Sequence, residues 1–387
     1  MDKTPDANDI LREYGPEGLR WASDNARTET AEDLWPSDDE PVKSHHADDD
    51  LGVQSSAKFV AGFSPPDYLV DGIVQRGRIY SNTGQTGAGK TAVTLRMKAH
   101  VLTGMPLNGR EVAKGRTLML SGENPDDVRA RWIAQCEQMG LFPDELDAYF
   151  IPRVFSIPDA LPALHALAVS VGGFSLVIVD TSAAYFQGDE ENSNVQLGAH
   201  ARDLRELTTL VGNPSVVVNC HPTKNASADN LLPRGGGAFI AEIDGNLISA
   251  RKDGMVELHW QGKFRGPEFE PIWFDLITVT SDKLKDSRGR HMPTVIAKPL
   301  SYSEQSSKEK LSDADIQRLL VEMLNYPRAT FSELAEACGW RLKTGEPYKS
   351  KIDRNMKKLK DDKLAKKEAG TWALTIAGEK AAKRAAE

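Results

Sequence analysis

Cysteine is scarce: Cys136, Cys220 and Cys338 are the only three in 387 residues. An odd number of widely spaced cysteines supports neither a disulfide framework nor a zinc cluster. Each reads as a small buried side chain in a reduced, cytoplasmic setting. Long apolar runs are missing too. No stretch approaches the ~20 residues that cross a bilayer, and the first residues carry no apolar segment of the secretory type, so no membrane partner is expected. Positive charge is in deficit, with a formal net charge of -8. Spread evenly, that balance would disfavour nucleic acid, but it is not spread evenly. Residues 1–60 hold 15 acidic against 6 basic side chains, whereas residues 301–387 hold 18 basic against 14 acidic.

The acidity therefore belongs to an N-terminal arm. Runs such as Asp48-Asp49-Asp50 and Asp38-Asp39-Glu40, with few apolar residues between, cannot bury enough surface to offset the entropy of ordering. Residues 1–58 are expected to be largely disordered, apart from a short helix around Ile10 to Ala22. Residues 59–300 alternate apolar strands with amphipathic helices, the pattern of an α/β domain with a mostly parallel sheet covered on both faces.

The most specific motif in that domain is Gly84-Gln85-Thr86-Gly87-Ala88-Gly89-Lys90-Thr91. Glycines at these positions let the backbone curl its N–H groups around phosphate oxygens, and the helix that follows adds its positive dipole end. Lys90 then reaches the β- and γ-phosphates, and Thr91 the Mg²⁺ of a bound ATP. Three further strands end in polar residues: Thr117 to Leu120 at Ser121-Gly122-Glu123, Leu176 to Val179 at Asp180, and Ser215 to Asn219 at Cys220-His221. In open α/β sheets ligands bind at that edge. Asp180 closes an apolar strand about 90 residues after the loop and suits the metal side of the nucleotide. Glu123 suits the attacking water, while Glu123-Asn124-Pro125-Asp126-Asp127 also reads as the acidic first turn of a helix. Both roles stay open.

In this order, the loop, Ser121 to Pro125, Val177 to Thr181, and His221-Pro222-Thr223-Lys224 followed by Arg234-Gly235-Gly236 resemble the RecA-like P-loop ATPase core. The likeness is to the RepA-type and DnaB-like hexameric replicative helicases of plasmids and phages, over roughly residues 64–280. The resemblance implies a hexameric homo-oligomer that hydrolyses ATP with Mg²⁺ on single-stranded DNA. It implies that His221 senses the γ-phosphate and that Arg234 reaches into a neighbouring subunit's site, with Lys224 a second candidate for that contact. Two loops, Gln187 to Asn194 and Lys224 to Gly237, would then face a central channel. The first has three acids and suits phosphate poorly; Tyr185 and Phe186 before it read as core packing.

After a polar linker at 301–311, residues 312–387 show three helices and a hairpin. Ile316, Leu319, Leu320 and Met323 mark the first helix, opening at Ser312, and a Thr330/Glu333 capping box opens the second. The third buries Ile352, Met356 and Leu359 and exposes Lys349, Lys351, Arg354, Lys357 and Lys358. This resembles a winged helix, whose third helix can contact duplex DNA, with Arg354 and Asn355 able to read bases. The expected function is a replicative DNA helicase. The alternative is an ATP-switched DNA-binding regulator that works with replication or recombination proteins without processive unwinding.

Overall fold

The computed structural model describes residues 12, 15–17, 52–190, 193–224, 226–227, 230–252, 254–368 and 370–386. The expectations for the acidic arm, including the helix from Ile10 to Ala22, fall largely outside these residues. The chain divides into two units, Met1–Pro65 and Pro66–Glu387. In the first, Ser55 caps a short helix, α1 (Ser56–Ala61), which buries none of its residues.

The second unit is built on a nine-stranded sheet. Its strands are β3 (Ile79–Thr83), β4 (Thr117–Ser121), β5 (Ala148–Ile151), β6 (Leu176–Asp180), β7 (Ser215–Cys220), β8 (Gly245–Lys252), β9 (Met255–Phe264), β10 (Ile272–Val279) and β11 (Thr294–Pro299). A two-stranded ribbon, β1 (Tyr68–Val70) with β2 (Val74–Gln75), leads into β3. The spatial order is β11-β10-β9-β8-β3-β7-β6-β4-β5. From β8 to β5 neighbours run parallel; from β8 to β11 they run antiparallel. One strand, β7, therefore lies between the strand feeding the phosphate loop and the strand ending at Asp180. The fold is α/β, with a mostly parallel sheet and the phosphate-loop motif joining β3 to the helix that follows it.

Strands β3, β4, β6 and β7 are buried at every residue, because helices cover both faces. On one face α2 (Lys90–Thr103) and α3 (Pro125–Met139) pack Val93, Met97, Val128 and Trp132 onto Met119, Ile178, Val217 and Leu247. On the other, α4 (Ile157–Val171), α6 (Asn194–Glu206) and α7 (Gly236–Glu242) pack onto Leu118, Val177, Val179 and Val218. Between them α5 (Ser182–Tyr185) follows β6 directly; Tyr185 is buried and its hydroxyl donates to the Arg153 carbonyl.

Among the described residues, Lys98 and Asp244 are ionisable side chains wholly enclosed in this layer structure. Lys98 of α2 is fully buried; its ammonium donates to Thr117 Oγ1 at 2.7 Å and sits 4.3 Å from the Phe150 ring centre. Burial drives its pKa well below the ordinary lysine value. Asp244, just before β8 and wholly buried, accepts the Ile79 N–H at 3.1 Å and pairs with Arg205 at 3.1 Å and Arg265 at 3.0 Å.

The C-terminal elements are α8 (Tyr302–Asn325), α9 (Phe331–Ala337), α10 (Lys349–Asp361), the hairpin β12 (Ala365–Glu368) with β13 (Thr371–Leu374), and α11 (Ile376–Ala386). They enclose their own core around Leu319, Leu334, Ile352, Met356 and Leu359. The first helix starts ten residues before Ser312. Ser301 and Glu304 form a capping box, so the polar stretch taken as linker is helical from Tyr302 onward. Ion pairs from Lys308 to Asp275 at 2.6 Å and from Lys298 to Glu304 at 3.1 Å join this helix to the sheet.

Candidate functional site

The phosphate loop joins β3 to α2. Gly89, at φ 101°, occupies the helix N-cap in a left-handed conformation, and a Cβ there would come within 2.9 Å of Leu276 Cδ1. Gly84 lies against the Ser249 carbonyl so closely that any side chain would displace β8. Lys90 bends back over the loop, donating to the Gly84 carbonyl at 2.7 Å and the Gln85 carbonyl at 3.1 Å. Burial lowers its pKa, and Asp180 and Glu123 act in the opposite sense.

A cavity of about 310 Å³ opens above the loop. Its walls include Thr86, Gly87, Gly89, Lys90 and Thr91 from the loop, together with Glu123, Asp180 and His221 from three strand ends. Four segments far apart in sequence thus meet at the C-terminal edge of adjacent strands. Thr91 Oγ1 donates to both carboxylate oxygens of Asp180, at 3.2 and 3.1 Å. Burial raises the Asp180 pKa, and hydrogen bonds from Asn219 and Thr91 offset part of that rise. A hydroxyl beside a carboxylate is a hard oxygen pair that suits Mg²⁺ in company with phosphate and water. Among the described residues no three His, Cys, Asp or Glu side chains converge as a self-sufficient metal site, so such a cation would depend on the nucleotide's own oxygens.

The geometry separates the two readings of Glu123. The N-cap of α3 is Asn124, whose side chain accepts the Asp127 N–H at 3.1 Å, with Pro125 in the first turn. Asp126 and Asp127 fill the acidic positions and pair with Arg129 and Arg131. Glu123 stands outside the helix, exposed, with its N–H on the Asp180 carbonyl at 3.3 Å.

Other expected residues are placed differently. Arg234 is half-buried and does not line the phosphate cavity; with His221, Ser182 and Phe186 it lines a neighbouring one of about 20 Å³. Its N–H donates to the His221 carbonyl at 2.9 Å. Lys224 is exposed on a loop pinned at its base by a Pro222–Pro233 bridge and a Thr223 N–H bond to the Leu232 carbonyl. Of the basic residues on α10, Lys351 and Lys358 turn inward to α8, pairing with Asp315 at 2.7 Å and Asp313 at 3.7 Å. Lys357 pairs with Asp353 at 2.7 Å, while Lys349 and Arg354 are exposed. Asn355 is buried and cannot read a base.

Sequence reasoning missed several cavity residues. Arg251, at the end of β8, and Leu276 and Val295, from the antiparallel strands, line the phosphate cavity too. No motif marks them, because β8, β10 and β11 reach the loop only through sheet pairing. Arg131, which with Arg129 is a sequence candidate for the nucleotide base or an adjacent subunit by its place on the helix after Glu123, reaches the cavity from α3 and donates to the Val295 carbonyl at 2.7 Å.

Fold and cavity together define a P-loop nucleotide-binding protein. A family model described as "AAA domain" matches residues 46–227, the span that holds the phosphate loop, Glu123, Asp180 and His221. No curated protein matches the chain. Among solved structures, one described as an ATPase domain is similar at 11% identity and a TM-score of 0.42, over 64% of this chain and 98% of that one.

Proposed function

We propose that this chain is an oligomeric, Mg²⁺-dependent ATPase acting on single-stranded DNA, a replicative helicase of the plasmid or phage type. The observation that carries the proposal is the convergence of Lys90, Thr91, Asp180, Glu123 and His221 on one cavity at the sheet edge. Thr91 and Asp180 would hold Mg²⁺ there, and the cation would supply positive charge to the phosphates. The chain's own residues do the rest. Loop N–H groups and Lys90 fix the phosphates, Glu123 orients and deprotonates the water, and His221 carries the loss of the γ-phosphate into the pinned loop that bears Lys224.

Oligomerisation enters through the arginines. Arg234 lines the small cavity beside His221 and not the phosphate cavity, which supports the reading that its role on phosphate is at a neighbour's site. Arg251 and Arg131 already line the phosphate cavity and are further cations able to meet transition-state charge. The winged-helix-like C-terminal elements would add a contact to duplex DNA through Lys349 and Arg354.

The test is ATP hydrolysis with and without single-stranded DNA, paired with strand separation of a tailed duplex. Stimulation and unwinding are expected; hydrolysis that ignores DNA, with no unwinding, refutes the motor. The second reading is an ATP-switched DNA-binding regulator, whose duplex contact would rest on Lys349 and Arg354. The inward pairing of Lys351 and Lys358 leaves α10 fewer outward cations than its sequence suggests. Stimulated hydrolysis without unwinding would select it.

A further inference from the structure

Asp180, Asn219 and Asn82 are direct partners across three adjacent strands, in one row of the sheet. One step back along the same face, the row is apolar: Ile178, Val217 and Tyr80, whose partner on β8 is Gly245. The face that α2 covers thus turns from hydrocarbon to polar groups directly beneath the phosphate loop. All of these polar side chains are buried: Asn82, Asn219, Ser249 and Thr94 are at most 1% exposed.

They form one unbroken chain. Asn219 Nδ2 donates to Asp180 Oδ1 at 2.8 Å and to Thr94 Oγ1 at 3.1 Å. Asn219 Oδ1 accepts from Asn82 Nδ2 at 2.9 Å, and Asn82 Oδ1 accepts from Ser249 Oγ at 2.7 Å. The direction of every bond follows from the carboxylate. Asp180 can only accept, so the Asn219 amide must turn its NH₂ toward it; its carbonyl then faces Asn82, whose carbonyl in turn faces the Ser249 hydroxyl. Neither amide can flip without breaking the chain.

We propose that Asn219, backed by Asn82 and Ser249, is a positioning residue that fixes the rotation of the Asp180 carboxylate for the cation site it shares with Thr91. The inference rests on the nucleotide-site reading given above. The Thr91 hydroxyl keeps its lone pairs for a cation while donating its proton to Asp180, so Thr91 and Asn219 hold the carboxylate from two sides. Groups behind a metal ligand typically change metal affinity by about 10–100-fold when removed.

The experiment uses the full-length chain and a fluorescent ATP analogue. Analogue binding is titrated with Mg²⁺, repeated in EDTA, and accompanied by a thermal melt. Asn219→Leu is expected to raise the half-saturating Mg²⁺ concentration by about tenfold or more, with binding in EDTA unchanged. Asn82→Leu is expected to raise it less, about threefold, and the double variant to be no worse than Asn219→Leu, because the residues act as one chain. A merely structural role would lower the melting temperature and leave the Mg²⁺ dependence where it was. A folded Asn219→Leu protein with parental Mg²⁺ dependence overturns the proposal. If that variant does not fold, Asn82→Ser and Ser249→Ala decide it: a raised Mg²⁺ requirement in either supports the chain, and parental values in both overturn it. A parent protein that binds the analogue equally with and without Mg²⁺ refutes the cation site itself, a failure distinct from variants that match a Mg²⁺-dependent parent.

Discussion

Replacing Asp244 by alanine removes one carboxylate from a place where three interactions meet. The Arg265 guanidinium is 58% exposed, so water and salt screen its pair and its loss costs about 0.5 kcal/mol. Arg205 is 31% exposed, and its pair is worth about 1 kcal/mol. The Ile79 N–H is the larger matter: it lies inside the sheet, and losing its acceptor costs about 1–3 kcal/mol. Together the change should destabilise the α/β unit by about 3 kcal/mol. Asp244→Asn keeps a carbonyl oxygen for Ile79 and should cost about 1–1.5 kcal/mol. Urea unfolding followed by tryptophan fluorescence compares the two, since Trp132, Trp260 and Trp273 all lie in this unit. Equal losses for the two variants would refute the weight placed on the buried N–H, and a loss below about 1 kcal/mol for alanine would refute all three assignments together.

Glu123→Gln should leave nucleotide affinity intact and slow hydrolysis by about 10²–10⁴-fold, because the carboxylate is outside the α3 cap and its loss spares the helix; a helix melt in the variant would contradict this. Lys98 gives a pH signature. Its native pKa is lowered, so between that value and about 10.4 the unfolded chain binds one proton more, and stability rises with pH until it levels off. Lys98→Met should flatten that slope in denaturant midpoints measured from neutral to alkaline pH. Glutamates at Lys349 and Arg354 should weaken duplex binding and lower its salt slope by about 2, while the same change at Lys351 should act mainly on stability through Asp315; gel-shift titrations at several salt concentrations separate the two.

Strands β4, β6 and β7 were legible because each is a short apolar run closing on polar residues, and the phosphate loop fixed where their ends point; β5, at the sheet's edge with no motif after it, was not. The site was legible as far as motifs reach, which is Lys90, Thr91, Glu123, Asp180 and His221. Asn82 and Asn219 were not, since an amide inside an apolar strand reads as a strand end until its register partner is known. Residues 302–311 looked like a linker because their helix is polar on nearly every face, and only the Ser301 and Glu304 cap betrays it. Asn355 looked outward from its place among lysines, yet helical phase turns it into the core beside Met356.

The bent-back posture of Lys90 ties the two ends of the phosphate loop together. Its ammonium bonds the Gly84 and Gln85 carbonyls, so the side chain that opens α2 braces the backbone leaving β3. Lys90→Met would therefore strip two loop carbonyls of a donor as well as remove a charge, and lost nucleotide binding in that variant would report loop geometry and electrostatics together.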